Sequence, residues 1–523
     1  MTSLARLPTR LTASALAAGL TVVLAAGCGG GTSGSGNADP AKIAPAASVF
    51  YAAATIRPEG GQKDAIDSIV RKFGISDPGR TIERAADRSI RRADSRLNFK
   101  QDVEPWLGKR AALVFTNFSG RNPDGAVILA TKDSGKARDA IHKDQRGHKV
   151  EKRSYKGVDY DLDTSGGSDT PEGIVGGFAV IGTTEAGYKA VIDASKGRSI
   201  TESSDFKQAQ QRGAGKLAFA YLDLKATLGG LASSGQLGSQ AQGLQLLLGG
   251  ANPKPVITTL EAQSNQVTLE SATEATAANT GLAGQTPLLA ALPSEAWGAV
   301  GVTNVGPGIK QLVNTIASGL GGAVITGVNN QLRAKYGIDL DRDVFAAIGD
   351  VAAFTRGTSA LTVGGGLVIK PPSPAAARRL ITKLGALVKR EGVAQRVKVT
   401  PTSIAGASGI KVTSARFPGA VNAVIKGDRL VIAYGDPATS NALRPSSKLG
   451  QTSAFKAATK ALGGASPSVY VAFAPLLGLL DSTSSNRPSY QRTRRYLGAL
   501  DTFAIGVRTD GRLQVARVVV SLK

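Results

Sequence analysis

His142 and His148 are the only imidazoles in a chain of 523 residues. Both lie in KARDAIHKDQRGHKV, where a helix end runs into a polar loop. A zinc site built on two histidines needs carboxylates or thiolates at matching spacing. Neither H-E-x-x-H nor C-x-x-C occurs, so the pair reads as solvated surface side chains. Asp159, Asp161 and Asp163 alternate through VDYDLDT. A period of two puts all three on one face of a strand, where they could gather a cation. The plainer reading is the solvated face of an edge strand. Asp339, Asp341 and Asp343, with Asp350 beyond them, imitate a calcium loop. However, Val344 stands where the tight turn needs Gly, and Asp350 stands where a bidentate Glu belongs. The expectation there is a helix cap with solvated acids. No G-x-S-x-G elbow, Walker loop or dinucleotide fingerprint occurs. Arg212–Lys216 (RGAGK) lacks both the earlier Gly and the hydroxyl after the Lys. No catalytic residue, metal ligand set or cofactor is assigned.

The lone cysteine, Cys28, has a more telling setting. Arg6 and Arg10 precede an apolar run from Leu11 to Gly27 that closes on the small residues Ala25, Ala26 and Gly27. That is the build of a secretory leader, residues 1–27. Its end resembles a bacterial lipobox, with Ala where Leu is commoner in the first position. The resemblance implies cleavage before Cys28 and a diacylglyceryl group on its thiol. A thiolate is the side chain suited to forming that thioether, and two acyl chains anchor where one binds only marginally. Residues 28–43, rich in Gly and Ser, cannot bury apolar surface and read as a flexible tether. Further on, no run of about 18 apolar residues offers a membrane span. The expected location is the outer face of the cell membrane, with Cys28 as the anchor.

The formal net charge is +24, and two of those charges, Arg6 and Arg10, belong to the leader. Such a surface favours anionic surroundings, here lipid headgroups or phosphate-bearing wall polymers; the compartment argues against nucleic acid. Arg84, Arg88, Arg91, Arg92 and Arg96 mark the polar face of one amphipathic helix, interleaved with acids. Arg487, Arg492, Arg494 and Arg495, with Tyr490 and Tyr496 among them, have fewer acids nearby. They are the better candidates for contact with an anionic surface.

What positions these residues is a chain that repeats itself. DVEPWLGKRAALVFT (102–116) is echoed by DVFAAIGDVAAFT (343–355). AVIL at 126–129, followed by Lys136-Ala137-Arg138, is echoed by GLVI at 366–369 and Ala376-Ala377-Arg378. Further echoes link Ser204–Lys207 with Ser453–Lys456, and LAFAYL (217–222) with VYVAFA (469–474). The matches stay in order and drift by only a few residues, as loop insertions would produce. Two tandem duplicated domains are expected, 44–280 and 290–523. Each opens on a strand (48–56; 295–302). Helices follow at 64–73 and 82–97 in the first half, with GIKQLVNTIASGL and VNNQLRAKYGI in the second. The quoted motif then leads from a helix end into a central strand. Hairpins such as AVNAVIKGDRLVIAYG, turning at Gly427-Asp428, imply mainly antiparallel pairing. With helices in blocks, the fold class is α+β. Gly108 and Gly349 are expected to hold a backbone conformation that other residues resist. Trp106 is expected to plug a core.

RPEGGQKDAIDSIVRKFG (57–74) followed by DVEPWLGKRAALVF (102–115), with its Pro-Trp-Leu-Gly core at Pro105–Gly108, resembles the bacterial family catalogued as domain of unknown function 3352. The second half has Ala346-Ala347 in place of the Pro-Trp pair. The resemblance implies a secreted or membrane-attached protein and supplies no catalytic residues. The functional expectation is a non-catalytic binding or scaffold module of the cell envelope. One alternative is a carrier of a lipid or other apolar ligand, for which LGGLASSGQLGSQAQGLQLLLGG (228–250) would form a deformable wall. Another is a hydrolase of unknown substrate.

Overall fold

The computed structural model describes residues 35–92, 96–118, 122–166, 169–234, 252–274, 286–310, 323–392, 396–415, 419–465 and 467–523. The leader and Cys28, most of 228–250 and most of GIKQLVNTIASGL lie outside them. The described residues fall into two compact units, the first ending at Thr273 and the second beginning at Glu274. Both are α+β with antiparallel pairing throughout.

The first unit carries strands β1 (Phe50–Thr55), β2 (Leu107–Phe115), β3 (Gly125–Thr131), β4 (Val150–Tyr155), β5 (Val158–Asp163), β6 (Thr170–Val175), β7 (Phe178–Gly182), β8 (Ala218–Leu222), β9 (Val256–Gln263) and β10 (Gln266–Glu274). Their order across the sheet is β10-β9-β8-β1-β2-β3-β7-β6-β5-β4. Helices α1 (Gly60–Lys72) and α2 (Pro78–Arg92) lie between β1 and β2, and α3 (Ser134–Asp144) follows β3. Helices α4 (Glu185–Lys196), α5 (Ser204–Gly213) and α6 (Leu224–Ser233) complete the unit. Side chains alternate across each strand, so the sheet has two apolar faces. On one, Tyr51, Val114, Ile128 and Val180 pack under Tyr188 and Ile192 of α4 and Phe206 of α5. On the other, Ala111, Leu129 and Ala179 meet Ala86 and Ile90 of α2, Trp106, and Ala137 and Ala140 of α3.

In the second unit a short α7 (Pro287–Ala290) precedes β11 (Gly298–Val302), α8 (Ala323–Tyr336), β12 (Asp350–Arg356), β13 (Gly364–Lys370) and α9 (Pro374–Glu391). Then come β14 (Lys398–Ile404), β15 (Ala407–Thr413), β16 (Ala420–Lys426), β17 (Arg429–Tyr434), α10 (Asp436–Leu443) and α11 (Ser453–Ala461). β18 (Pro467–Ala472), α12 (Phe473–Ser484), α13 (Pro488–Leu497), β19 (Leu500–Asp510) and β20 (Leu513–Leu522) close the chain. The sheet order is β20-β19-β18-β11-β12-β13-β17-β16-β15-β14. Strand for strand it is the order of the first unit.

The echoed motif has one structural meaning in both units. Phe99–Val103 forms a single wide helical turn in which Asn98 accepts the N–H of Gln101 and Asp102 accepts the N–H of Asn98. Leu340–Val344 forms the same turn, with Asp339 accepting from Arg342 and Asp343 accepting from Asp339. A lysine from the helix after the third strand of each unit's motif locks it. Lys143 of α3 lies 2.6 Å from Asp102, and Lys383 of α9 lies 2.5 Å from Asp343. A capped turn is therefore correct, but the expectation of solvated acids is not: Asp339 and Asp343 are 2% and 0% exposed. Asp339 also pairs with Arg333.

Gly108 and Gly349 are required for a different reason than expected. Neither has a positive φ. A Cβ on Gly108 would sit 2.7 Å from the Ala130 carbonyl of β3, and one on Gly349 would strike the Lys370 carbonyl of β13. Close approach of a neighbouring strand, not backbone conformation, excludes a side chain.

Candidate functional site

On its α2–α3 side the sheet of the first unit does not close against its helices. Two transverse rows of side chains form the floor. In one, the register runs Leu260, Ala218, Ala54, Ala111, Leu129, Ala179. In the other it runs Thr258, Ala220, Ala52, Leu113, Val127, Ile181, and then Glu172 and Asp161. Alanines predominate at the centre, on β8 and β1. Above them Ala86 and Ile90 of α2, Phe99, Val103, Trp106, and Ala140 and Ile141 of α3 form the roof. Close-packed layers need long side chains somewhere across the gap. With methyl groups on the floor and Ala86 in the roof, the gap remains as a chamber of about 430 Å³. That lies within the roughly 300–1,000 Å³ of small-molecule sites. Trp106 is 5% exposed, and its Nε1–H donates to the Asp102 carbonyl at 2.6 Å. It is a core plug, and it forms part of the chamber wall as well.

One end of the second row is acidic. Glu172 is 5% exposed, lines the chamber, and accepts from the Gln145 amide at 3.3 Å. Asp161 stands opposite it in register on β5. Asp163 lies 2.6 Å from His148 Nδ1 and accepts the Ser165 N–H at 2.8 Å. His142 Nε2 is 3.3 Å from Asp161, and Asp144 accepts the Arg96 N–H. Burial, followed by the charges of Asp144 and Asp163, pushes the Glu172 carboxyl up to about 8, only partly opposed by Gln145. Burial would also raise Asp163, but its bonds to Ser165 and His148 outweigh it and hold the group below the usual carboxylate range.

One expectation is corrected here. β5 is an interior strand between β4 and β6, not an edge; Asp159 is exposed, while Asp161 pairs with His142 of α3 and Asp163 with His148 beyond it. The histidines are exposed, as expected, and each also pairs with one of those acids. Glu172 gave no sequence signal, because T-P-E-G-I-V has no alternation that marks its acid as buried. In the second unit the matching row is Val469, Val300, Ala353, Leu367, Ile432, Ala423, Ile410. Ala423 and Ile410 stand where the first unit has Glu172 and Asp161, so the acidic end belongs to the first unit alone.

The arginines of the second unit divide. Arg494 holds Asp481 through two bonds, at 2.7 and 2.9 Å. Arg495 stacks on the Tyr496 ring at 4.6 Å, and Arg487, Arg492 and Arg495 are exposed. The segment 228–250 contributes nothing to the chamber lining among the described residues; its described part is the end of α6. No helix among the described residues is long and apolar enough to cross a membrane.

The fold and chamber thus define a protein of two α+β units, the first holding an apolar cavity with an acidic end. The chain belongs to the family described as Protein of unknown function (DUF3352), whose model matches residues 79–483, from the first turn of α2 to the end of α12. Among solved structures it is similar to two crystal forms of TP0453. Crystal form I is 11% identical, with 46% of this chain and 80% of that one covered and a TM-score of 0.24. Crystal form IV is 11% identical, with 45% and 80% covered and a TM-score of 0.25. Scores this low carry no argument. No curated protein matches the sequence.

Proposed function

We propose that the chain is a non-catalytic binding protein of the cell envelope, tethered by a lipidated Cys28 to the outer face of the membrane, whose first unit takes up the apolar part of a ligand. The observation that carries this reading is the chamber, walled by methyl, isopropyl and aromatic groups and polar at one end. The leader and the Gly/Ser tether at 28–43 support the location. Of the expected alternatives, the carrier of a lipid or other apolar ligand is therefore the form of binding module that this reading adopts. Arg487, Arg492 and Arg495 are exposed near one another in sequence and would favour the anionic headgroups or wall polymers of that setting.

Two experiments test the two parts. Calorimetric titration of the mature chain with 1-octanol, 1-decanol and 1-dodecanol is expected to tighten with length. Each two-carbon step should be worth ~1.6 kcal/mol, about 15-fold in Kd, with a negative heat-capacity change. Affinities that ignore chain length would refute the chamber's role. Cys28→Ser is expected to move the protein from the membrane fraction to the soluble extracytoplasmic fraction and to remove the acyl mass. Unchanged membrane retention would refute the anchor.

A further inference from the structure

The floor of the chamber ends in a carboxyl group whose bonding is incomplete. Glu172 follows the apolar stretch Ala220, Ala52, Leu113, Val127 and Ile181 of its row, and one of its oxygens accepts from Gln145. A buried carboxyl in its acid form has one O–H to donate. The charged groups that act on it are acids: Asp144 at the end of α3, and Asp161 and Asp163 on β5, with the Gln145 amide beside them. His142 and His148 pair with those two β5 aspartates. Asp144 itself is held by the Arg96 N–H. An anionic head placed here would meet the like charges of these acids. A cationic head would be stripped of water inside a largely apolar wall, where the desolvation cost is large.

Resting on the reading of the chamber as a tail-binding site, we propose that its ligand is a single-chain amphiphile with an uncharged, hydrogen-bond-accepting head, an alcohol or an ester carbonyl. The head takes the O–H of Glu172 while the tail lies along the two alanine-rich rows. Specificity is then set by Glu172 as a donor, and binding is linked to its proton. The carboxyl carries that proton below pH about 8 and loses it above. Ionisation removes the donor and puts a charge in the chamber wall. Ligand therefore binds in the neutral range and is released as the pH rises.

The test uses the mature full chain and displacement of N-phenyl-1-naphthylamine fluorescence. The competitors share a twelve-carbon acyl or alkyl chain: 1-dodecanol, methyl dodecanoate, dodecanoate and dodecylammonium. At pH about 6.5 the two neutral compounds are expected to displace the probe at least about 10-fold more tightly than either ion. If only one of the two does so, the head is assigned to that group. At pH about 9.5 their affinity is expected to fall about 10-fold, in line with loss of the Glu172 proton. Glu172→Gln keeps a donor without a titrating proton. It should hold the neutral ligands within about three-fold of wild type at the lower pH and abolish the pH step. Glu172→Leu, which has no donor, should bind the two neutral heads more weakly than wild type and without a pH step. Equal affinity of wild type for all heads, a preference for either ion, or a pH step that survives in Glu172→Gln would overturn the assignment. Probe binding with equal heads leaves the chamber standing and the head wrong, whereas no displacement by any compound removes both.

Discussion

Ala54→Phe is expected to weaken binding of 1-dodecanol by at least about 100-fold while leaving the protein folded. Ala54 lies in the middle of the floor, flanked in register by Ala111 on one side and Ala218 on the other. A phenyl ring there enters the vacancy that the three methyl groups leave beneath α2. It removes the space for several methylenes, each worth ~0.8 kcal/mol of burial, so loss of three or four accounts for the effect. The ring displaces no packed side chain, so the melting temperature should hold or rise. The contrasting substitution is Ala126→Phe on the opposite face. Ala126 is fully buried against the helices on that side, in the cluster that includes Tyr188 and Val191 of α4. The same ring there overpacks a closed core and should cost about 1–3 kcal/mol without touching the chamber. The pair is read by dodecanol titration and thermal melting. If Ala54→Phe destabilises as much as Ala126→Phe and binds normally, the two faces have been assigned the wrong way round.

The largest effect on stability is expected at Asp343. Its side chain is fully buried, accepts the Asp339 N–H at 2.9 Å, and lies 2.5 Å from Lys383, with Arg342 and Arg379 within 4 Å. Asp343→Ala removes the tie of the echoed turn to α9 and takes from Lys383 its carboxylate partner, leaving it the Gly337 carbonyl. Breaking a buried pair from one side costs roughly 3–5 kcal/mol. Asp102→Ala at the matching place should cost less, because its carboxylate and Lys143 are more open to water, with 14% and 38% of their side-chain areas exposed. Burial would raise the Asp343 carboxyl, but Lys383 and the Asp339 N–H outweigh it and hold the group below its ordinary value. A depressed carboxylate stabilises the fold above its unfolded pKa, and that contribution is lost as the pH falls through its folded pKa. Denaturant melts on the acid side should therefore show wild type converging on Asp343→Ala. A constant gap down to the lowest folded pH would place the lost stability in packing rather than charge.

Much of the architecture could be read from patterns local to a strand or a turn. The period-two runs of VITTLEAQ and TFAIGVRT and the turn at Gly427 and Asp428 mark strands and a hairpin directly, and β9, β16, β17 and β19 stand there. The locking lysines were within reach. Lys143 and Lys383 follow Ala137 and Ala377 at the same distance, so carrying that echo a few residues further exposes them. Other features depend on what lies across a gap. β5 reads like an edge strand because its acids alternate with apolar residues, and nothing local says that Asp161 and Asp163 meet His142 and His148. The chamber is a matter of volume. Runs such as FYAAAT suit close packing as well as a void, and only the height of α2 above the sheet decides between them. The sparse aromatics, 5% of the chain, were the one compositional hint. Glu172 needed the register: it is buried because Ile181 and Asp161 are its neighbours on either side.

The most direct test of the chamber is a crystal of the protein grown with 12-bromododecan-1-ol and measured at the bromine absorption edge. The anomalous peak is expected inside the first unit, between the alanine rows of β1 and β8 and helix α2. A peak at any other place, or a chamber filled by the protein's own side chains with the bromide absent from it, would contradict the account.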